Sequence, residues 1–409
     1  MEIKFHHVYI YFWIFGLLNN VLYVVILSAA VDIVGPSLPK SLVLLTDILP
    51  SFIVKLLAPF FIHRLGYRKR VGSLIVLSTF GMLMVSSGKL SVCLLGIVLA
   101  SISSGFGEIT FLQLTHYYEK VALSGWSSGT GGAGLFGSGL YMSFTSILKI
   151  SVKTSLLFFT LLPFGFILYY KLEKGNNSVE DPASNDPFLD YTDRDTDALV
   201  AAPSSPITSM VTQDRSFSFK VHFLATCSSL KELILPFMLP LTTVYLFEYL
   251  INQAVAPTLL FPLGQKNMPF FFNKYRDIYV TYGTLYQLGV FISRSTAHLV
   301  RLRKLYLLSI LQGFNLVFAL LQSWLYLVSS PWPVMVLVLY EGFLGGASYV
   351  STFLNILEDV EPGKREFALG SVSIADSFGV LIAAFIGLAL EPMLCNHQVA
   401  DGRPWCRME

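Results

Sequence analysis

Charge is what this chain has least of: 13% of its 409 residues are Asp, Glu, Lys or Arg, against 54% hydrophobic ones, a balance that excludes a soluble domain. The signatures of soluble chemistry are missing too. No G-x-x-x-x-G-K-[ST] phosphate cradle, no H-E-x-x-H and no Cys-x-x-Cys pair occurs, so no metal, no cofactor and no enzymatic role is expected. A net charge of +2 points to no nucleic-acid partner, and it does not choose between anionic and cationic substrates, because cavity charge and surface charge are separate quantities. Four cysteines are too few for a disulfide framework. Cys93 and Cys227 read as packing residues, whereas Cys395 and Cys406 lie close together near the carboxyl terminus and either form a disulfide or stand as two free thiols.

What the chain has is long hydrophobic runs. Windows of about 20 residues, matched to a hydrocarbon core of about 30 Å, mark eleven candidate spans: 9–30, 42–62, 71–87, 91–114, 127–148, 153–170, 233–257, 277–293, 305–327, 333–357 and 369–390. Six precede a polar stretch and five follow it. The expectation is an all-α polytopic protein of two bundles, residues 1–170 and 233–390, joined by a cytosolic linker over 171–232 and closed by a tail over 391–409. The linker is rich in Asp, Ser, Asn and Pro and cannot order itself by burial. Within it, Asp195 to Val200 approaches an acidic dileucine signal, a docking point for sorting adaptors, with Val200 where Leu or Ile belongs. The first span is too long for a signal-peptide core of about 7–15 residues and is expected to stay.

Two basic clusters recur at the same place in each half. Arg64, Arg68, Lys69 and Arg70 follow the second span, and Arg294, Arg301, Arg303 and Lys304 follow the eighth. Short basic loops stay cytosolic, which puts the amino terminus in the cytosol, the tail on the far side and the Asn176 sequon out of reach of glycosylation. Recurrence of this kind, with paired amides in the first span (Asn19, Asn20) and the seventh (Asn252, Gln253), suits a transporter built from parallel repeats. The glycines from Gly125 to Gly139 suit close helix packing.

Ionisable residues inside spans are expensive and face a partner or a cavity. Six qualify: Asp47, Lys55, Glu108, Glu248, Glu341 and Asp376. Glu248 lies near mid-membrane, and Tyr245, Glu248 and Asn252 share one helical stripe. A carboxylate so placed resists ionisation, which suits either proton coupling or a structural acid hydrogen-bonded to a neighbouring helix; for coupling Glu248 leads the candidates, with Glu108, Glu341 and Asp376 behind it. Lys55 either receives an anionic group of the solute or pairs with an acid on another helix, since Asp47 stands about 12 Å away along its own helix. Asn19, Asn20, Tyr245, Asn252 and Gln253 complete the expected solute contacts, on a cavity lined by the first, fourth, seventh and tenth spans. The basic loops, through Arg64, Arg68, Lys69, Arg70, Arg294, Arg301 and Arg303, are expected to gate by latching onto the opposite bundle.

The segments "FWIFGLLNNVLYVVILSAAVDIVG", "SSGFGEITFLQLTHYY", "GWSSGTGGAG", "YLFEYLINQ", "YGTLYQLGVFISRS", "YEGFLGGASYV" and "VSIADSFG" resemble the battenin family, its fungal members above all, across nearly every span and in order. The resemblance implies a major-facilitator-like fold of eleven spans in the vacuolar membrane. It also implies links to vacuolar pH homeostasis, to basic amino acid handling and to glycerophosphodiester export, and it sets the family's "EYLINQ" segment on Glu248 to Gln253. Animal members end in a prenylation box; this chain ends "CRME", with Arg407 at an aliphatic position, so lipidation is not expected. The expectation is a vacuolar proton-linked carrier of a small polar solute. The alternative is a membrane scaffold that regulates the proton pump or trafficking through cytosolic partners.

Overall fold

In a bilayer every backbone amide needs a partner within its own segment, and the described residues meet that demand with helices alone. The computed structural model describes residues 2–29, 41–174, 215–263, 268–270, 272, 274–296 and 302–407, with no strand among them. The first half comprises α1 (Glu2–Ser28), α2 (Ser41–Leu57), α3 (Tyr67–Val85), α4 (Leu90–Met142), and α5 (Val152–Phe159) running through a 3-10 turn into α6 (Leu168–Lys174). The second half comprises α7 (Arg215–Leu233), α8 (Leu239–Leu250), α9 (Tyr275–Ser295), α10 (Leu305–Leu325), α11 (Pro331–Asp359), α12 (Pro362–Val372) and α13 (Ile374–Ala400).

Among the described residues, seven helical stretches are long and apolar enough to cross a membrane. One of them is α4, whose 53 residues span far more than one bilayer at about 1.5 Å per residue. It crosses twice, breaking at Glu119, whose backbone takes φ 57 and ψ −149. Adding the shorter or more polar α2, α3 and α9 gives the eleven passes read from the sequence, six before the polar stretch and five after it.

Two boundaries differ from expectation. The connection expected over 171–232 is helical at both ends, because the Asp/Ser/Pro-rich composition gives way after Arg215 to "FKVHFLATCSSLKEL", which has apolar residues to bury. Phe223 of α7 stacks on Phe60 at 5.1 Å. Residues 175–214, with Asn176 and the Asp195 to Val200 segment, lie outside the described residues. At the other end α13 runs through Pro392 to Ala400, so the tail expected from 391 begins as helix. Cys395 and Cys406 are joined there, with Cα atoms 5.8 Å apart. Gln398 Nε2 donates to the carbonyls of Thr258 and Ser323 (2.9 and 2.8 Å) and Arg403 donates to that of Trp324 (2.8 Å), pinning the tail to the ends of α10 and the seventh pass.

The glycine-rich second arm of α4 lies backbone to backbone on α1. A Cβ on Gly125 or Gly129 would collide with the carbonyl oxygen of Tyr9 or Trp13, and one on Gly16 with that of Trp126. Small residues are what permits this approach, the usual device for helices that meet in lipid.

The halves are tied most densely at the end that carries the basic loops. Glu366 of α12 accepts from the hydroxyls of Tyr67 (2.6 Å) and Tyr117 (2.8 Å), and Lys120 meets Glu358 at 2.6 Å. One layer deeper Phe52 stacks on Phe378 at 5.8 Å, and Ser128 bonds Ser295 at 2.9 Å.

Candidate functional site

Between the halves lies a polar cavity of about 140 Å³, bounded by seven passes. The first half contributes Asn20 and Tyr23 from α1, Asp47, Ser51 and Lys55 from α2, and Ser104 and Glu108 from α4. The second contributes Tyr245 and Tyr249 from α8, Arg294 from α9, Tyr349 from α11, and Asp376 and Ser377 from α13. The expected first, fourth, seventh and tenth spans are all present, joined by the second, eighth and eleventh.

Its charged centre is an ion triad that crosses the interface. The ammonium of Lys55, 2% exposed, lies 2.6 Å from Glu108 Oε2 in its own half and 3.1 Å from Asp376 Oδ1 in the other. Ser377 accepts from the same ammonium at 2.8 Å, and both the amide and the hydroxyl of Ser377 donate to Asp376. An isolated buried ammonium would be prohibitive; two carboxylates and a hydroxyl compensate it.

Beside the triad sits a second, half-buried cation. Arg294 lies in the last turn of α9, which continues past the expected span end at 293 and so turns the side chain into the cavity instead of into a loop. Its guanidinium donates to Thr130 (2.7 Å) and to the hydroxyl of Tyr245 (3.0 Å), and it lies over the ring of Tyr349. Among the described residues no carboxylate pairs with it, and its Nε has no hydrogen-bond partner. Tyr349 is the joint between the two groups: its hydroxyl donates to Glu108 Oε1 (3.2 Å) and accepts from Trp126 Nε1 (3.0 Å). Tyr23 of α1 and Tyr249 of α8 line the cavity from opposite halves.

Several expected site residues stand elsewhere. Glu248 is buried but is not on the cavity wall: it turns toward α11, where its carboxylate packs against Gly345 and accepts from Tyr286 of α9. Glu341 lies one layer behind it and accepts from Asn252 at 2.9 Å. The stripe of Tyr245, Glu248 and Asn252 therefore faces two ways, because α8 is packed on both sides, and only Tyr245 meets the cavity. Asn252 and Gln253 do not line it, and Asn19 turns into the first bundle, donating to the Ser104 carbonyl at 3.1 Å.

The basic loops also divide. Arg70 is 1% exposed and binds its own half, donating to the carbonyls of Leu65 and Ile62 and to Gln113, so it fixes the loop instead of latching across. Arg303 pairs with Glu358 of its own half at 3.6 Å. Arg64, Arg68 and Lys69 are exposed, and Arg301 lies outside the described residues. Of the named basic residues Arg294 reaches the opposite bundle, donating to Thr130 at 2.7 Å, and further cross-half ties at this end come from Tyr67, Tyr117 and Lys120, two of which cluster counting passes over because they are uncharged.

Two helical bundles enclosing a polar cavity, with an ion triad across their interface, define a polytopic membrane protein of the major-facilitator-like fold. Solved structures agree on the fold: the proton:xylose symporter XylE superposes with TM-score 0.58 at 12% identity, covering 98% of this chain and 92% of the other. A bacterial homologue of the iron transporter ferroportin, in an outward-facing state, gives 0.52 at 13% identity over 97% and 98%. The chain belongs to the CLN3 protein family, whose model matches residues 10–397. It is similar to Protein BTN1 of Saccharomyces cerevisiae, 62% identical with both chains covered in full, and to Protein BTN1 of Candida glabrata, 59% identical over 98% of each.

Proposed function

We propose that the protein is a proton-linked carrier of a small polar solute in the vacuolar membrane, working by alternating access and so acting on vacuolar pH and content. The observation that carries this reading is the Lys55 triad, because its two carboxylates belong to different halves. When the halves part at the basic-loop end, Lys55 keeps Glu108, and Asp376 loses its cation. A buried carboxylate left unpaired costs several kcal/mol, so opening goes with a proton on Asp376, and re-pairing with Lys55 expels it. Short basic loops favour the cytosolic side, which supports dense ties there and a disulfide-bonded tail in the lumen.

The solute is of the size a cavity of about 140 Å³ admits, and Arg294, with no carboxylate of its own, meets its anionic group. Basic amino acids and glycerophosphodiesters both carry one. Glu248 and Glu341, behind the wall, hold α8, α9 and α11 in register and serve coupling only at second hand.

The test is flux in liposomes containing the purified protein, with an imposed acid gradient and labelled glycerophosphocholine or arginine. Gradient-driven uptake of one of them is expected, lost in Asp376→Asn and still pH-dependent in Glu248→Gln. Uptake no greater than in empty liposomes, for both solutes, would refute the carrier reading; pH-dependent uptake surviving in Asp376→Asn would refute the assignment of the proton.

A further inference from the structure

Off the wall of the main cavity a second, much smaller space opens within the first half, of about 10 Å³. It offers about the space that one water needs. Asn19, Tyr23, Asp47, Ser78 and Ser104 supply its polar lining. Asp47 is 3% exposed, and its Oδ2 is buried with no hydrogen-bond partner. The one cation on its helix, Lys55, is two turns away and engaged by Glu108 and Asp376. Among the described residues Asp47 therefore has a buried charge and no counter-charge, an arrangement that a protein sustains only by neutralising the group.

The surroundings say what neutralises it. Every polar atom that the Asp47, Tyr23, Ser78 and Ser104 side chains offer is a hard oxygen, the donor class taken by alkali and alkaline-earth cations. One carboxylate matches one unit of charge. The volume leaves no room for a retained water shell, which divalent Mg²⁺ gives up reluctantly. The amide of Asn19 braces the crevice by donating to the Ser104 carbonyl (3.1 Å) and to Asn20 Oδ1 (3.3 Å), and Ser101 donates to the Asp47 carbonyl, fixing the turn from which the carboxylate projects.

We infer that the Asp47 crevice binds a small, dehydrated monovalent cation, with Na⁺ as the probe. Asp47 lines both spaces, so the bound ion stands at the edge of the solute cavity. The titratable groups facing Asp47 are Tyr23 of α1 and, beyond it, Tyr249 of α8. This site is separate from the Glu108 and Asp376 carboxylates, so it stands or falls independently of the proton assignment.

The experiment is thermal unfolding of the purified full-length protein in detergent at pH 8, NaCl replacing choline chloride at constant ionic strength. The melting temperature should rise saturably with Na⁺, on the order of 2 °C at tenfold the half-saturating concentration. Asp47→Asn should abolish the rise, Ser104→Ala should raise the half-saturating Na⁺ several-fold, and Asp376→Asn should leave it in place. No Na⁺ dependence, or the same rise in Asp47→Asn, would overturn the inference. Stability in choline that depends on pH, insensitive to Na⁺ and lost in Asp47→Asn, would give the crevice to a proton and overturn it as well.

Discussion

The guanidinium carbon of Arg294 lies 4.1 Å from the centre of the Tyr349 ring, and the hydroxyl of that ring reaches Glu108. One aromatic side chain of the second half thus touches the anion-seeking group of the cavity and an acid of the ion triad. Tyr349→Phe keeps the stack and loses both hydroxyl bonds. Solute affinity should persist while the pH profile of transport shifts; Tyr349→Ala should weaken solute binding as well, through loss of a cation–π contact of about 1–2 kcal/mol. Concentration dependence of uptake at several pH values separates the two.

Lys55→Met leaves Glu108 and Asp376 facing each other without their cation. Destabilisation of about 3–5 kcal/mol is expected, read as a fall in melting temperature. Adding Glu108→Gln and Asp376→Asn should restore most of the stability and none of the transport.

The ties at the basic-loop end should set which way the cavity opens. Tyr67→Phe with Tyr117→Phe strips Glu366 of both its donors, at about 1 kcal/mol each. A cysteine placed at Ser377 should become more reactive to a polar thiol reagent added from that side; unchanged reactivity would show that these two hydrogen bonds do not hold that end closed.

Glu119 occupies a region of backbone space suited to glycine, at φ 57 and ψ −149. Glu119→Gly removes strain of about 1–3 kcal/mol against a glycine entropy of about 0.5–1 kcal/mol. The melting temperature should rise slightly; a fall would mean that the Glu119 side chain holds the break between the two passes.

The passes were legible in the sequence because hydropathy reports one thing, residence in hydrocarbon, and eleven runs carry that signal. The triad was half legible. Lys55 could not reach Asp47, so another helix had to answer it, but which one depends on how two halves face each other, and no local spacing encodes that. Glu248 was misplaced for a related reason: a central position on a pass gives depth, not direction, and α8 is packed on both sides. Arg294 was hidden by a boundary, since a basic residue at a span's end looks the same in a loop as in a final turn. Tyr349 carried no signal at all, being one tyrosine among 20.

The meshing of Gly125 and Gly129 with Tyr9 and Trp13 carries a mechanical consequence. Helices whose backbones touch cannot slide along each other, since a shift of even one residue would drive a side chain into a carbonyl. The first helix and the second arm of α4 must therefore move as a single lever. On the carrier reading proposed above, opening is therefore a rotation of one half against the other, with its pivot among the interfacial contacts and no slack inside the first bundle to absorb it.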